Sequence, residues 1–378
     1  MLEEPSTSAG GYRPLEGISV VEAASFVSGP YAAMMLADLG ATVTKVEPPG
    51  GDPFRRFGRV EAGTGIQFAN ANRNKRSVVA DLKTEAGMGR LLDLLAGADV
   101  FLTNWCPGVA EELGLDAPKV RSLNPRLVWC RVSGFGQDGP LAGAPAFDTV
   151  IQARTGIMSA QGGAGAPESV RGYLVDKVTA LLVAQTTLAA LVERSTQGTG
   201  SVVDVSMLDS VAYFMAPDLL GERTIVADGS ARPAVAEQLS AVRCVPTSDG
   251  WVLVSPVRAK QLRGLAAAAG HPEWIDELKA QPDPGRRAAR IYDLVAGETP
   301  SATTATWLER FSGHDVPAAP VMDLDGHLGD EQVLHNRTYV EYAHPALGRI
   351  RQPRHPARRP GEERADVPTP SPPLTEPG

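Results

Sequence analysis

Short runs of β-branched residues alternate with helical patterns along the N-terminal part of the chain. Gly29-Pro30 opens the first helical pattern and Gly40 closes it. The alternation predicts strands at 17–22, 41–47, 77–82, 98–104 and 126–132, and helices at 31–39 and 85–96, and a turn and strand follow at 198–206. Strands that alternate with helices form a parallel sheet with helices on both faces. The sequence therefore predicts an α/β, Rossmann-like fold whose ligands bind beyond the carboxyl ends of the strands.

The later part of the chain predicts a second, smaller domain, and a length of 378 residues accommodates two. A strand at 251–255 followed by helices at 261–269, 286–295 and 303–310 indicates an α+β unit. The tail holds eight prolines in 26 residues, so it is expected to be disordered or to wrap in an extended form over a neighbour. The predicted divisions are a disordered leader (1–14), a large domain (15–224), a small domain (225–320), a return to the large domain (321–352) and the tail (353–378).

Charge and composition exclude several classes of function. The net charge of -8 argues against non-specific nucleic-acid binding, although an anionic ligand needs only a local basic patch. No run of about 18 apolar residues is present, so no membrane span is expected, and the N-terminus lacks the pattern of a signal peptide. The three cysteines, Cys106, Cys130 and Cys244, are widely spaced, which favours a cytoplasmic protein without a disulfide framework or a metal site.

Histidine placement restricts the chemistry available to the large domain. All six histidines lie beyond residue 270. Carboxylates, hydroxyls, amides and backbone groups must therefore carry any reaction in the N-terminal region. A nicotinamide dinucleotide is disfavoured there, because the loop after the first strand is A-S-F-V-S-G-P rather than a G-x-G-x-x-G, although Glu47 sits where a ribose-binding acid would.

Asp176 stands in or just before the first turn of a long apolar helix that runs to Arg194. One interpretation is structural, since a carboxylate in this position is stabilised by the helix dipole and can cap free N–H groups. The other is chemical, and requires a loop that exposes the carboxylate to a ligand. The glycine-rich segment at 161–168 could form such a loop.

Three further segments combine polar and glycine residues. N-R-N-K-R-S (72–77) precedes a strand and is a solvated turn or a phosphate or adenine pocket. T-N-W-C-P-G (103–108) and S-G-F-G-Q-D-G-P (133–140) follow strands, and each is a simple turn or a ligand wall. Segments that follow parallel strands converge on one crevice, so their joint position favours a binding site.

These segments, taken in order, resemble the family III coenzyme A transferases of the CaiB/BaiF type, which include formyl-CoA and carnitine-CoA transferases. The resemblance runs from about Leu15 to about Pro345, and its motifs are P-L-E-G-I-S-V-V-E, S-G-P-Y-A-A-M-M-L-A-D-L-G-A-T-V-T-K-V-E-P-P-G-G-D-P, N-K-R-S-V-V-A-D-L-K, A-D-V-F-L-T-N-W-C-P-G, N-P-R-L-V-W-C-R-V-S-G-F-G-Q-D-G-P, F-D-T-V-I-Q-A-R-T-G-I-M-S and V-D-V-S-M-L-D. Asp176 falls where the family keeps its nucleophilic aspartate.

The resemblance implies transfer of coenzyme A from an acyl-CoA to a carboxylic acid, through an aspartyl anhydride and an aspartyl-CoA thioester on Asp176. It implies an interlocked homodimer, no tightly bound cofactor, and coenzyme A or acyl-CoA as substrate. It also implies a set of residues that line the coenzyme A site: Val27, Ser28, Asn74, Lys75, Arg76, Asn104, Trp105, Ser133, Gly134, Phe135 and Gly136.

The chain departs from the family pattern at three basic positions, where it has Pro48, Cys106 and Glu112. The glycine-rich loop that shields the intermediate in some members has no clear counterpart between 225 and 245. Two alternatives therefore stay open: a non-catalytic coenzyme A-binding homologue, and an α-methylacyl-CoA racemase. The racemase would use a histidine just before Asp148, where this chain has Phe147.

Overall fold

The computed structural model describes residues 12–163, 165–226, 241–361 and 367–374. The chain divides into two compact units, one made of Met1–Phe214 and Leu334–Gly378 and one of Met215–Val333. The predicted domain boundaries after 224 and 320 both fall inside the second unit. Most of the predicted leader, and residues 227–240 in the segment where a shielding loop was sought, lie outside the described residues.

A six-stranded parallel sheet forms the centre of the first unit, which confirms the predicted α/β fold. The spatial order of its strands is β5-β2-β1-β6-β7-β8. A short hairpin, β3–β4, lies outside this sheet, and another, β12–β13, follows the second unit in sequence. The strands of the unit are β1 (Ser19–Ala23), β2 (Thr42–Glu47), β3 (Val60–Glu61), β4 (Thr64–Gly65), β5 (Lys75–Val79), β6 (Val100–Thr103), β7 (Val128–Ser133), β8 (Val202–Ser206), β12 (Tyr339–His344) and β13 (Gly348–Pro353).

Helices cover both faces of the sheet because alternate strand residues point to opposite sides. Val20 packs with residues of the first and eighth helices, whereas Val21 packs with residues of the third and fifth. Each face is therefore a separate apolar layer. The helices of the unit are α1 (Ser28–Asp38), α2 (Ile66–Asn72), α3 (Glu85–Ala96), α4 (Val109–Glu112), α5 (Ala117–Leu123), α6 (Asp148–Arg154), α7 (Ile157–Gly162), α8 (Leu174–Gln197) and α9 (Met207–Met215), the last of which crosses the boundary.

Helix α8 is the one described helix that is long and apolar enough, by length and composition, to cross a membrane. The core helix of a globular unit meets the same criterion. Val175, Ala180 and Val183 on α8 are fully buried, and Ala180 and Val183 belong to the apolar layer that α1 shares. Its apolar character is therefore explained by packing against the sheet.

The second unit contains a three-stranded antiparallel sheet in the order β11-β10-β9. Its strands are β9 (Val245–Pro246), β10 (Trp251–Val254) and β11 (Ala318–Pro320). Trp274, Tyr292, Trp307 and Phe311 fill the core between this sheet and its helices. Those helices are α10 (Ala259–Ala269), α11 (Trp274–Ala280), α12 (Pro284–Glu298), α13 (Thr304–Gly313) and α14 (Leu324–Gly329), and α15 (Glu331–His335) crosses the second boundary.

Candidate active site

Three of the predicted site segments lie at one edge of the parallel sheet. Val27 and Ser28 follow β1, Asn104 and Trp105 follow β6, and Ser133–Gly136 begins at the end of β7. These three strands are neighbours in the sheet. Because the carboxyl ends of parallel strands share an edge, the structure brings these segments together there.

The loop between β1 and α1 is held in an unusual conformation. Phe26 has a φ of 63°, in the left-handed region that costs a non-glycine residue energy. Its N–H donates to Asp52 Oδ1 at 3.2 Å. Asn104 forms two hydrogen bonds with Ser25, the residue before Phe26. Its Oδ1 accepts from the Ser25 N–H at 2.9 Å, and its Nδ2 donates to the Ser25 carbonyl at 2.7 Å. The predicted ligand-binding amide of Asn104 thus shapes this loop.

Asp176 lies in the first turn of α8, and a different carboxylate caps that helix. The Asp176 N–H donates to Asp148 Oδ2 at 3.1 Å. Gln152 fixes this carboxylate by donating from Nε2 to Asp148 Oδ1 at 2.6 Å. The Asp176 side chain instead interacts with the backbone N–H of Ser28, the first residue of α1. Capping therefore falls to Asp148, and the Asp176 carboxylate meets the positive end of a second helix.

The environment of Asp176 raises its pKa to about 7. Burial is the main cause, because it disfavours the charged form, and the negative charge of Asp148 adds to it. The Ser28 N–H opposes both by stabilising the carboxylate. Burial and the two carboxylates also raise the pKa of Tyr173, whose ring meets Phe54 edge-on at 6.1 Å between centroids. A partly buried carboxyl group that titrates near neutral pH is typical of a functional site.

Lys75 is committed to a buried ion cluster. Its ammonium group donates to Glu22 Oε2, the Pro30 carbonyl and Asn72 Oδ1, each at 2.7 Å. Lys45 binds the other oxygen of Glu22, also at 2.7 Å. Burial, opposed by Glu22 and assisted by Lys45, lowers the pKa of Lys75 to about 8. The resemblance assigns Lys75 to ligand binding, but its positive charge is paired with Glu22 inside the protein.

The rest of the N-R-N-K-R-S segment also lies away from the carboxyl edge, because it precedes or begins β5. Asn74 donates from Nδ2 to Asp38 Oδ1 at 2.8 Å, and its Oδ1 accepts from the Thr369 N–H at 2.7 Å. Arg76 is exposed. Glu47, considered as a ribose-binding acid, forms a two-bond pair with Arg55 instead.

Gly134 lets the segment after β7 pass close to its neighbour. A Cβ at this position would lie 2.1 Å from Ala146 Cβ, so the backbone would have to move. We expect Gly134→Ala to lower the unfolding free energy by about 1–3 kcal/mol, as overpacked sites do. Urea unfolding measures this. Gly143→Ala is the matched control, since that glycine is exposed and a Cβ there meets nothing within 4 Å. Equal losses in the two variants would contradict the packing argument.

Comparison with known proteins identifies the family. A sequence profile described as CoA-transferase family III matches residues 15–376, which is nearly the whole chain. The chain belongs to CoA-transferase family III. The resemblance stated from the motifs is confirmed, and the protein is a CoA-transferase that moves coenzyme A from an acyl-CoA to a carboxylic acid.

Individual relatives of this family III CoA-transferase support the same assignment. It is 33% identical over 335 residues to the succinate–glutarate CoA-transferase of Agrobacterium fabrum, covering 85% of this chain and 83% of that protein. It is 30% identical over 367 residues to the formyl-CoA:oxalate CoA-transferase of Streptomyces avermitilis, covering 89% and 87%. A CAIB/BAIF family protein from Brucella suis has the same fold, with a TM-score of 0.79 and 27% identity over 96% of this chain and 97% of that one.

The sequence did not predict how this CoA-transferase supports Asp176. Asp148 and Gln152 are one helical turn apart on α6, a spacing that allows their bond. That spacing could have indicated a fixed carboxylate, but its contact with α8 depends on the tertiary fold. Coenzyme A contacts by the residues at the carboxyl edge stay a prediction, as do the consequences of Pro48, Cys106 and Glu112.

Proposed function

We propose that the Asp176 carboxylate is the nucleophile of this CoA-transferase. The proposal depends on the position of the Asp176 carboxyl group. This group is partly buried, has a raised pKa, and lies beside the first N–H of α1 at the carboxyl edge of the sheet. The same helix end suits the charge that develops on an aspartyl carbonyl oxygen under attack, so the Ser28 N–H is the proposed oxyanion donor. No histidine is required, because a carboxylate attacks without a base.

The proposed reaction conserves the energy of the thioester. The Asp176 carboxylate attacks the acyl carbonyl, the carbon–sulfur bond breaks, and an acyl–aspartyl anhydride and free CoA thiolate form. The thiolate attacks the aspartyl carbonyl, which releases the donor acid and leaves an aspartyl-CoA thioester. An acceptor carboxylate then displaces the thiolate to form a second anhydride. Attack of the thiolate on the acceptor carbonyl yields the new acyl-CoA and restores Asp176. Water must be excluded throughout, and we assign this role to the aromatic cluster of Phe26, Phe54 and Tyr173, of which Tyr173 senses the charge of Asp176.

The substrates proposed are an acyl-CoA donor and a carboxylic acid acceptor, without a tightly bound cofactor. We expect acyl-CoA to lie along Val27–Ser28, Asn104–Trp105 and Ser133–Gly136. The named relatives use succinyl, glutarate, formyl and oxalate groups, so a panel of short mono- and dicarboxylic acids with succinyl-CoA and acetyl-CoA is the appropriate screen.

A homodimer in the cytoplasm is the proposed form of the enzyme. Large apolar side chains are exposed on the first unit, and a second copy would cover them. Tyr213 is 73% exposed and Val192 66% exposed. An intertwined arrangement, as implied by the family resemblance, would place these surfaces in a large interface. The mass of the particle in solution tests whether the enzyme is a dimer.

Trapping tests the covalent intermediate. The enzyme is incubated with an acyl-CoA and then with hydroxylamine or borohydride, and the peptide that contains Asp176 is examined by mass spectrometry. A hydroxamate or alcohol at Asp176 supports the proposal. Deuterium uptake at the substrate α-carbon without trapping would support the racemase, and retention of coenzyme A without either result would support a binding protein.

The pH dependence of kcat/KM for acyl-CoA gives a further prediction. Only the ionised form of Asp176 attacks, so the rate is expected to fall as the pH drops through about 7. Asp148→Asn keeps a side-chain oxygen for the Asp176 N–H but removes a negative charge, which lowers the pKa of Asp176. The acid limb should move to lower pH in this variant. The exposed Asp93→Asn serves as control, and an unmoved limb in Asp148→Asn would contradict the assignment.

A further inference from the structure

Residues 367–374, here called the C-terminal strap, form neither helix nor strand and contact other parts of the first unit. The Thr369 carbonyl accepts from the Asn74 N–H at 3.0 Å. Ser371 is 4% exposed, and its hydroxyl pairs with His344 Nε2 at 3.0 Å. The strap therefore has specific partners, and it engages Asn74, one of the residues assigned to coenzyme A from the resemblance.

Arg55 connects the strap to the interior. The side chain is buried and lies over the ring of Phe68, with 3.9 Å between the guanidinium carbon and the ring centroid. Its Nη1 donates to the Pro372 carbonyl at 3.0 Å. Its Nε and Nη2 donate to the two carboxylate oxygens of Glu47, each at 2.7 Å. One planar cation thus joins the strap to the end of β2, and its fork of donors fits the two-bond pair with Glu47 in a way that a lysine ammonium does not.

The contacts continue from Glu47 to the loop beside Asp176. Glu47 Oε2 accepts from the Asp52 N–H at 2.9 Å. Asp52 Oδ1 accepts from the N–H of Phe26, the residue in the left-handed conformation. Two residues later, the Ser28 N–H meets the Asp176 carboxylate. The first two links are hydrogen bonds, the third runs along the backbone from Phe26 to Ser28, and all of these residues belong to the same compact unit.

We propose that the C-terminal strap and Arg55 are positioning elements for the Asp176 centre: they hold Asp52 and the loop after β1 so that the Ser28 N–H faces the nucleophile. The inference rests on the proposed role of Asp176. The competing explanation is that the strap only covers the unit and stabilises it. The two differ in one respect, because only positioning links the strap to the ionisation and reactivity of Asp176.

Two changes test the proposal. The first ends the chain at residue 366, with a chain that ends at Leu374 as control. The second is Arg55→Lys, with Arg59→Lys as control, because Arg59 is exposed and pairs with the exposed Glu61. We expect kcat to fall about 10- to 100-fold in the truncated enzyme and in Arg55→Lys, as small displacements of a catalytic group do, with both controls near the wild-type value.

A direct titration separates positioning from stability. The Asp176 carboxyl group is followed by infrared difference spectroscopy against pH, and its band is identified as the one that Asp176→Asn removes. Loss of the Ser28 contact should raise the pKa of Asp176 above its wild-type value, because that contact lowers it. A synthetic peptide of residues 367–374 should restore both kcat and the wild-type titration to the truncated enzyme.

An unchanged titration in folded truncated enzyme would overturn the proposal, whatever happens to its melting temperature. Activity lost only in proportion to unfolded protein would overturn it as well. The titration needs no turnover, so it also separates the two hypotheses: full transfer by Asp176→Asn would refute the nucleophile, while the wild-type and truncated titrations would still test the strap.

Discussion

Replacing Asp176 with asparagine is expected to lower the rate of CoA transfer by at least about a thousandfold, as removal of a covalent nucleophile does. The amide keeps the shape of the side chain but cannot form the anhydride. Alanine at the same position is the second variant, since slow deamidation of asparagine would regenerate the aspartate. Transfer is measured as exchange of coenzyme A between two acids, and the trapped adduct should vanish with the activity. Retention of the wild-type rate in both variants would refute the proposed mechanism.

The same substitution should make the protein more stable at alkaline pH, which distinguishes a lost nucleophile from a damaged fold. The folded-state pKa of Asp176, about 7, lies above the ordinary aspartate value of 3.8. Its ionisation therefore opposes folding increasingly as the pH rises from about 4 to 7 and fully above that range. At pH 8, Asp176→Asn should raise the unfolding free energy by about 2–4 kcal/mol. At pH 4 the difference should nearly disappear.

Glu22→Gln is expected to cause the largest loss of stability, about 3–5 kcal/mol in the unfolding free energy. Glu22 is fully buried and is the shared partner of Lys45 and Lys75, each at 2.7 Å. The neutral amide would leave two buried ammonium groups without this counter-charge. Urea unfolding measures the loss, and Glu61→Gln is the control because its pair with Arg59 is exposed.

The pH dependence of stability gives this prediction a second readout. Burial alone would raise the pKa of Glu22, but the charges and hydrogen bonds of Lys45 and Lys75 more than offset it, so the pKa is lowered. The stabilisation is therefore present above the ordinary glutamate pKa of 4.5 and is lost as the pH falls through the folded-state pKa. The gap between wild type and Glu22→Gln should narrow on acidification. A loss below about 1 kcal/mol at pH 7, typical of exposed pairs, would contradict the argument.

Local patterns predicted the elements of the sheet because their signals are local. The helix at 85–96 has the predicted bounds, since Thr84 caps it and Gly97 ends it. The strand predicted at 77–82 instead spans Lys75–Val79, because register with β2 sets its start. The segment between β2 and β5, with its hairpin and α2, was not predicted, since its two-residue strands carry no periodicity.

Long-range pairing explains what the sequence could not show. A basic run has the same composition whether it faces solvent or, as Lys75 does, pairs with Glu22 across the intervening strand β2. Asp176 likewise had two interpretations until the structure showed that Asp148 caps α8. The tail composition left disorder and wrapping open, and the described residues 367–374 have specific partners within the first unit. Such contacts join distant parts of the chain, and no local pattern encodes them.

The first unit is interrupted in sequence by the second, because Met215–Val333 separates its six-stranded sheet from the β12–β13 hairpin and the C-terminal strap. During synthesis on the ribosome, all six strands of the parallel sheet are made well before the hairpin and the strap emerge. Arg55 therefore lacks its hydrogen-bond partner, the Pro372 carbonyl, until the whole inserted unit has been translated. Premature termination anywhere in that interval yields a chain that has every strand of the six-stranded sheet but lacks the β12–β13 hairpin and the C-terminal strap.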